Sequence, residues 1–346
     1  MPTNSLKIGI IGAGRIGLLH AEHLTSRIPE ADLVMVADVS EDAARECAER
    51  YDIPYFAQDY HAVLEHLDIQ AVVICTSTDT HARIIEEAAQ AGKHIFCEKP
   101  IALDLASIDQ ALDAVDRAGV NLQIGFNRRF DANYRRVRQA VELGEIGQPH
   151  LLHLVSYDPD PPPVTYIRVS GGIFLDMAIH DFDMARFLIG SEVDEIFAMG
   201  GVMVDSAIGA VGDVDTAVSL LKFSNGVICT ISNSRQAAYG YDQRLELLGG
   251  AGAISIGNNY PNTVIISDGH NVRRDLPLRF LVERYTESFV SEMAAFVDAV
   301  HHDTPVPVTG LDGRAPVVMA LAAGKSLAQS RTVRLSEIES EGRMQL

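Results

Sequence analysis

Short apolar runs and helical stretches alternate from the start of the chain. Leu6–Ile11 (LKIGII) breaks at a glycine-rich turn and passes into a helical stretch through about Ser26. Leu33–Ala37 (LVMVA) ends at Asp38, and Ala71–Cys75 (AVVIC) runs into a polar segment and a helix through Ala91. His94–Cys97 and Asn121–Gly125, with a helix between them, continue the pattern. Continuous apolar strands alternating with amphipathic helices predict a parallel sheet covered on both faces.

The pattern changes after about Phe126. A helix over Ala132–Leu143 stops at Gly144, a strand near Leu151–Tyr157 meets a proline-rich turn at Asp158–Pro163, and a helix over about Gly172–Ile189 follows. Then come Glu195–Val204, Thr216–Phe223, Gly226–Ser232, Gln243–Leu248, Ala253–Ile256 and Thr263–Ser267, which read as strands with no helices between them. Asn225-Gly226 is a hairpin signal. The expectation is an open antiparallel sheet, closed by helices at about Thr286–His301 and Leu311–Ser330. The fold class is therefore α/β with two domains, 1–125 and 126–346, the last helices being able to pack back on the first.

Composition narrows the partners. The 346 residues are 47% hydrophobic, ample for two cores, and carry a formal net charge of −19, which disfavours nucleic acid and anionic membrane surfaces. There is no long apolar span, and the first residues lack the basic and apolar segments of a signal peptide, so a cytoplasmic protein is expected. Cys47, Cys75, Cys97 and Cys229 are scattered, and no disulfide frame or zinc spacing appears.

The turn after the first strand is Gly12-Ala13-Gly14-Arg15-Ile16-Gly17, a GxGxxG between strand and helix. Gly12 permits the tight turn, Gly14 lets backbone approach a pyrophosphate, and Gly17 allows close helix–strand packing, while the helix N-terminus attracts the phosphates. Asp38, 21 residues beyond Gly17, accepts ribose hydroxyls and repels a 2′-phosphate, and no Arg or Lys adjoins it, so the dinucleotide is NAD rather than NADP. Thr76, Ser77, Thr78 and His81 follow the third strand on the same sheet edge and are candidates for the nicotinamide side, with helix capping the alternative for the hydroxyls. Glu98-Lys99-Pro100 follows the strand His94–Cys97, where a lysine can meet a substrate hydroxyl. Asp176 and His180 are four apart on an expected helix, on one face, flanked by Ile173, Met177 and Phe187. A carboxylate beside a partly buried imidazole makes a base that titrates near neutrality. His180, Asp181 and Asp183 do not converge on one point, so no metal is expected.

GAGRIG, CTSTDTH, CEKP, FNRRFD and, above all, SGGIFLDMAIHDFDMARFL make the chain resemble the glucose–fructose oxidoreductase, inositol dehydrogenase and rhizopine-catabolism (Gfo/Idh/MocA) family from about Lys7 to Val300, most like its inositol 2-dehydrogenase branch. The resemblance implies a Rossmann domain followed by an α/β domain whose open sheet often builds a homotetramer. It makes Lys99, Asp176 and His180 the catalytic groups and suggests substrate contacts from Asn127, Arg128, Asp158 and Tyr241. His180 would take the hydroxyl proton, Lys99 would stabilise the alkoxide, and Asp176 would orient His180 or accept from a neighbouring hydroxyl. Many inositol-type relatives have arginine where this chain has Tyr157 and Leu175, which opens the choice among myo-inositol, scyllo-inositol and a cyclic sugar. An NAD-using glycosidase and a non-catalytic NAD-binding protein are the other readings, and the proton acceptor argues against the last.

Overall fold

The computed structural model describes residues 5–343, in two compact units. The first comprises the chain to Phe130 with Glu287–Val317; the second comprises Asp131–Thr286 with the described chain from Val318.

In the first unit the order is β1 (Leu6–Ile11), α1 (Arg15–Ser26), β2 (Ala31–Ala37), α2 (Glu41–Tyr51), β3 (Tyr55–Ala57), α3 (His61–Glu65), β4 (Ala71–Ile74), α4 (Thr78–Gln90), β5 (His94–Glu98), α5 (Leu105–Ala118) and β6 (Leu122–Gly125). The sheet order is β3-β2-β1-β4-β5-β6, parallel throughout, as the alternation predicts. The strand order reverses between β1 and β4, the crevice where such sheets bind ligands at their carboxyl ends. Ile8, Ile10, Val36, Val73 and Phe96 are buried with Ala21 and Leu24 of α1, and Met293, Phe296 and Val297 from the late segment join the same core. Each such side chain contributes about 1.5–3 kcal/mol on burial. Between Asp38 and Ala71 the sequence pattern showed nothing. The structure has α2 there, capped by Ser40, whose side chain accepts from the Ala43 N–H, and the half-exposed edge strand β3.

The second unit begins with α6 (Ala132–Glu142), whose cap Asp131 accepts from the N–H groups of Asn133 and Tyr134. There follow β7 (Pro149–Tyr157), α7 (Val164–Ser170), α8 (Ile179–Ile189), β8 (Val193–Gly201), α9 (Ser206–Gly209), β9 (Thr216–Phe223), β10 (Ile228–Ser234), β11 (Asp242–Gly249) and β12 (Ala253–Ile256). A small exposed ribbon, β13 (Ile265–Ser267) with β14 (Val272–Arg274), comes next. α10 (Leu281–His302) and α11 (Gly310–Gln329) each pass from one unit to the other, and β15 (Val333–Arg334) and α12 (Leu335–Arg343) close the described chain. The sheet order is β12-β11-β7-β10-β9-β8-β15. It is mostly antiparallel, as expected, with one parallel pair, β7 and β10. Asn225-Gly226 lies at the β9–β10 hairpin, with Gly226 at φ 89°.

Two expectations changed. The single helix over Gly172–Ile189 is instead a π-helical turn, Phe174–Ala178, leading into α8. The helix expected from Thr286 starts at Leu281, with a backbone break at Tyr285. No helix among the described residues is long and apolar enough to cross a membrane.

Candidate active site

At the carboxyl ends of β1 and β4, Gly12 adopts φ 102°, and a Cβ there would lie 2.7 Å from the Cys75 carbonyl. A Cβ on Gly17 would lie 1.9 Å from the Gly12 oxygen, which is the close helix–strand packing the turn requires. Gly14 is different. Nothing lies within 4 Å of where its Cβ would be, so the backbone at the N-terminus of α1 stands open. Gly14 caps α1 without a side-chain bond, and Arg15 and Ile16 begin the helix. Asp38 binds this turn directly. Its Oδ2 accepts from the Ala13 N–H at 2.7 Å and its Oδ1 from the Ser40 N–H at 2.8 Å. An open glycine, a helix N-terminus and a carboxylate one strand away fit a pyrophosphate and a diol-bearing ribose.

Ser77 caps α4 with extended backbone, but its side chain makes no capping bond, so the hydroxyl is not consumed by the helix. Thr76 and Thr80 share a hydroxyl contact of 2.7 Å. His81 needs a different reading from the one expected. Its ring is buried, with Nδ1 2.8 Å from the Pro100 carbonyl and Nε2 3.1 Å from the Thr76 carbonyl. Burial pulls its pKa below the ordinary histidine value against the opposing pull of the two carbonyls, and the neutral ring donates to one of them while lying against the other. Glu98, at the tip of β5, pairs in register with Gly125, and its Oε1 lies 2.8 Å from His20 Nε2. Lys99 follows, half-buried, between this contact and the carbonyl that His81 holds. Asn127 and Arg128 occupy a buried 3-10 turn after β6, which excludes a surface role for Arg128.

In the second unit, Ser234 at the end of β10 and Asp242 at the start of β11 both pair with Tyr157 at the end of β7. The register therefore brings Asp158, Arg235 and Tyr241 to one edge of the sheet. Asp158 is fixed there by its backbone, donating to the Ser234 carbonyl and accepting from the Ala237 N–H. Tyr241 is buried and packs edge-on against Tyr285. The π-helical turn that packs on β10 carries Asp176. Asp176 Oδ1 accepts from Tyr166 Oη at 2.8 Å, and Oδ2 accepts from Arg235 Nη1 at 3.1 Å. Arg235 is fully enclosed, and its other terminal nitrogen lies 3.5 Å from Asp213. Asp213 in turn accepts from the Ile173 N–H at the start of the same turn. His180 is the second residue of α8, and the next residue, Asp181, is buried and accepts from Asn233. Leu175 is buried beside Asp176.

The chain matches the model of an oxidoreductase family with an NAD-binding Rossmann fold over residues 6–126, and the GFO/IDH/MocA C-terminal domain over residues 134–255. It belongs to the GFO/IDH/MocA oxidoreductase family. It is similar to the myo-inositol 2-dehydrogenase of Thermotoga maritima, at 47% identity over 96% of this chain and 99% of that one. The inositol 2-dehydrogenase of Rhizobium meliloti is 43% identical over 96% of this chain and all of the other. Among solved structures, the scyllo-inositol dehydrogenase of Lactobacillus casei with bound NAD(H) and scyllo-inositol superposes with a TM-score of 0.90. Its identity is 30%, over 96% of this chain and 99% of that one.

As a GFO/IDH/MocA protein, the chain carries its NAD-binding residues in the first unit and its DxxxH residues in the second. The sequence reading missed Arg235 and Tyr166, which hold Asp176, and His20, which meets Glu98. Tyr166 lies ten residues from Asp176 and Arg235 lies 59, so no local spacing points to either. His20 stands three positions after Gly17 on α1, where a polar residue with no surface role was the one available signal.

Proposed function

We propose that the protein oxidises a secondary ring hydroxyl of an inositol, myo or scyllo, or of a related cyclic sugar, to the ketone, with NAD as acceptor. The observation that carries this reading is the anchored carboxylate in the DxxxH turn. Asp176 is held by a buried guanidinium and a phenol, an arrangement that fixes in place an acceptor for a polyol hydroxyl. Asp176 accepts from a neighbouring substrate hydroxyl, and His180 takes the proton of the reacting one. Lys99 donates to the same oxygen as negative charge develops. Asn127, Arg128, Asp158 and Tyr241 bind further ring hydroxyls. Bound NAD takes the hydride. The Gly12–Gly17 turn and Asp38 orient it, and Thr76, Ser77, Thr78 and Glu98 border its nicotinamide end.

The test is NADH formation across a panel of inositols and aldoses. Turnover is expected with myo- or scyllo-inositol; silence across the panel overturns the reading, and NAD retained without net NADH points to a glycosidase cycle. K99A and H180A should each lower kcat by a factor on the order of 10² or more with NAD affinity intact.

We also infer a cytoplasmic homotetramer. The support is four unpaired cysteines and an open sheet face that exposes Met199, Val218, Leu220, Ile228 and Leu248. Elution as a monomer overturns the assembly.

A further inference from the structure

Two members of one buried cluster, His20 and Glu292, play no part in the chemistry above. His20 of α1, Glu98 at the tip of β5 and Glu292 of α10 bring their ligand atoms within 4.8 Å of one another. His20 and Glu292 are both at 0% exposure, and neither carboxyl oxygen of Glu292 has a hydrogen-bond partner in the first unit's packing. The His20 ring lies edge-on to Phe96 and Phe289, which fixes its plane. The Glu98 carboxyl is pressed onto Gly125, where a Cβ would approach it to 3.1 Å. Glu98 therefore has one direction in which to point, toward His20 and Glu292.

We propose that His20 and Glu292 are positioning residues that hold Lys99 through Glu98. This rests on the reading of Lys99 as the residue that meets the substrate oxygen. The Lys99 backbone is clamped on both sides, Glu98 by the His20 ring and the Pro100 carbonyl by the His81 ring. A lysine at a strand tip has four rotatable side-chain bonds, so its reach is only as well defined as the backbone it leaves. Burial, and after it the Glu98 charge, push the Glu292 carboxyl well above the usual range. It sits there as the neutral acid, within 4.8 Å of Glu98 and His20, a separation that one water can bridge. A divalent cation fits less well. His20 Nδ1 is buried without a hydrogen-bond partner, whereas a metal-bound imidazole has its second nitrogen served. Cys75, which faces Glu98 and Glu292, and Cys97, which faces Glu98, are pushed up by burial and stay thiols, while burial lowers His81, the imidazole that also feels Glu98.

The experiment is a kinetic cycle on the full-length enzyme, with inositol oxidation followed by NADH absorbance and NAD affinity by titration calorimetry. H20L and E292L should each lower kcat about tenfold or more, with NAD Kd unchanged within about twofold. In the K99A background the same substitutions should cost less than about twofold, because the residue they position is gone. Equal losses in both backgrounds, or no loss with Lys99 present, overturn the proposal. E292Q keeps a neutral donor of the same shape and should retain the turnover that E292L loses. Equal losses from the two, or a stoichiometric metal in the purified protein, overturn the protonated carboxyl. If K99A itself turns over normally, the functional reading fails instead, so the two failures are told apart.

Discussion

In the second unit Asp176 and Asp213 flank a single enclosed guanidinium, Arg235, whereas in the first Glu98 and Glu292 meet an imidazole, and Glu292 pairs with no Lys or Arg among the described residues. Arginine does not deprotonate in proteins, so the second arrangement sets a permanent cation between its two acids. The first has no such cation, and burial pushes its Glu292 carboxyl toward the neutral acid. A residue that must accept from a substrate hydroxyl benefits from a fixed cation behind it. A residue that only shapes a strand tip does not need it.

Removing the permanent cation should have the largest effect. R235M takes the shared cation from two largely buried carboxylates and should cost about 3–5 kcal/mol in chemical denaturation, with loss of inositol oxidation. R235K keeps the charge without the planar fork and should fall between. Wild-type stability in R235M would remove the contrast between the two clusters.

The titrating cluster should show itself in pH dependence. The folded Glu292 pKa is raised, so above pH 4.5 the unfolded chain releases a proton that the folded chain keeps, and stability falls as pH rises toward the folded value. E292Q removes that slope. Its melting temperature should exceed the wild type's by a margin that grows from pH 5 to pH 8, and a constant margin would mean that Glu292 is ionised. His23, buried on α1, has the opposite sign. Burial, then the neighbouring His20 and Arg27, lower it from 6.5 to about 4. Between those values the unfolded chain binds a proton that the folded chain refuses, so stability falls as pH drops through the window, by roughly 3 kcal/mol in all. H23Q should flatten this acid limb, and an unchanged limb would place the titration elsewhere. Smallest is Y166F. It removes the phenol bond to Asp176 while the Arg235 guanidinium stays, and about 1 kcal/mol in kcat/KM is expected. A loss as large as that of R235M would make the phenol, not the guanidinium, the anchor.

Much of the first unit could be read from the chain because its chemistry follows its strands in order. A run of apolar residues ends, and the next few residues stand at the ligand-binding edge. That rule singled out Gly12–Gly17, Asp38, Thr76–Thr78 and Glu98-Lys99. It did not foresee the carbonyl contacts of His81, because a histidine in the first turn of a helix looks the same whether it faces solvent or lies between two carbonyls. The second unit was harder. Apolar spacing does not distinguish a π-helical turn from an α-helical one, so the Asp176–His180 pair was taken as regular α-helix. The partners of Asp176 come from β10 and α7, elements whose adjacency depends on sheet order. The parallel pairing of β7 with β10, which sets Arg235 level with Asp158, follows from that order and from no local signal.

The core of the first unit draws Met293, Phe296, Val297 and Val306 from a stretch synthesised more than 150 residues after Phe130. During translation the six strands are therefore complete long before their covering is. Phe96, which packs edge-on against Phe296, lacks that aromatic neighbour until most of the second unit has left the ribosome. The dinucleotide-binding unit finishes last although it begins first, and its final consolidation waits for nearly the whole chain.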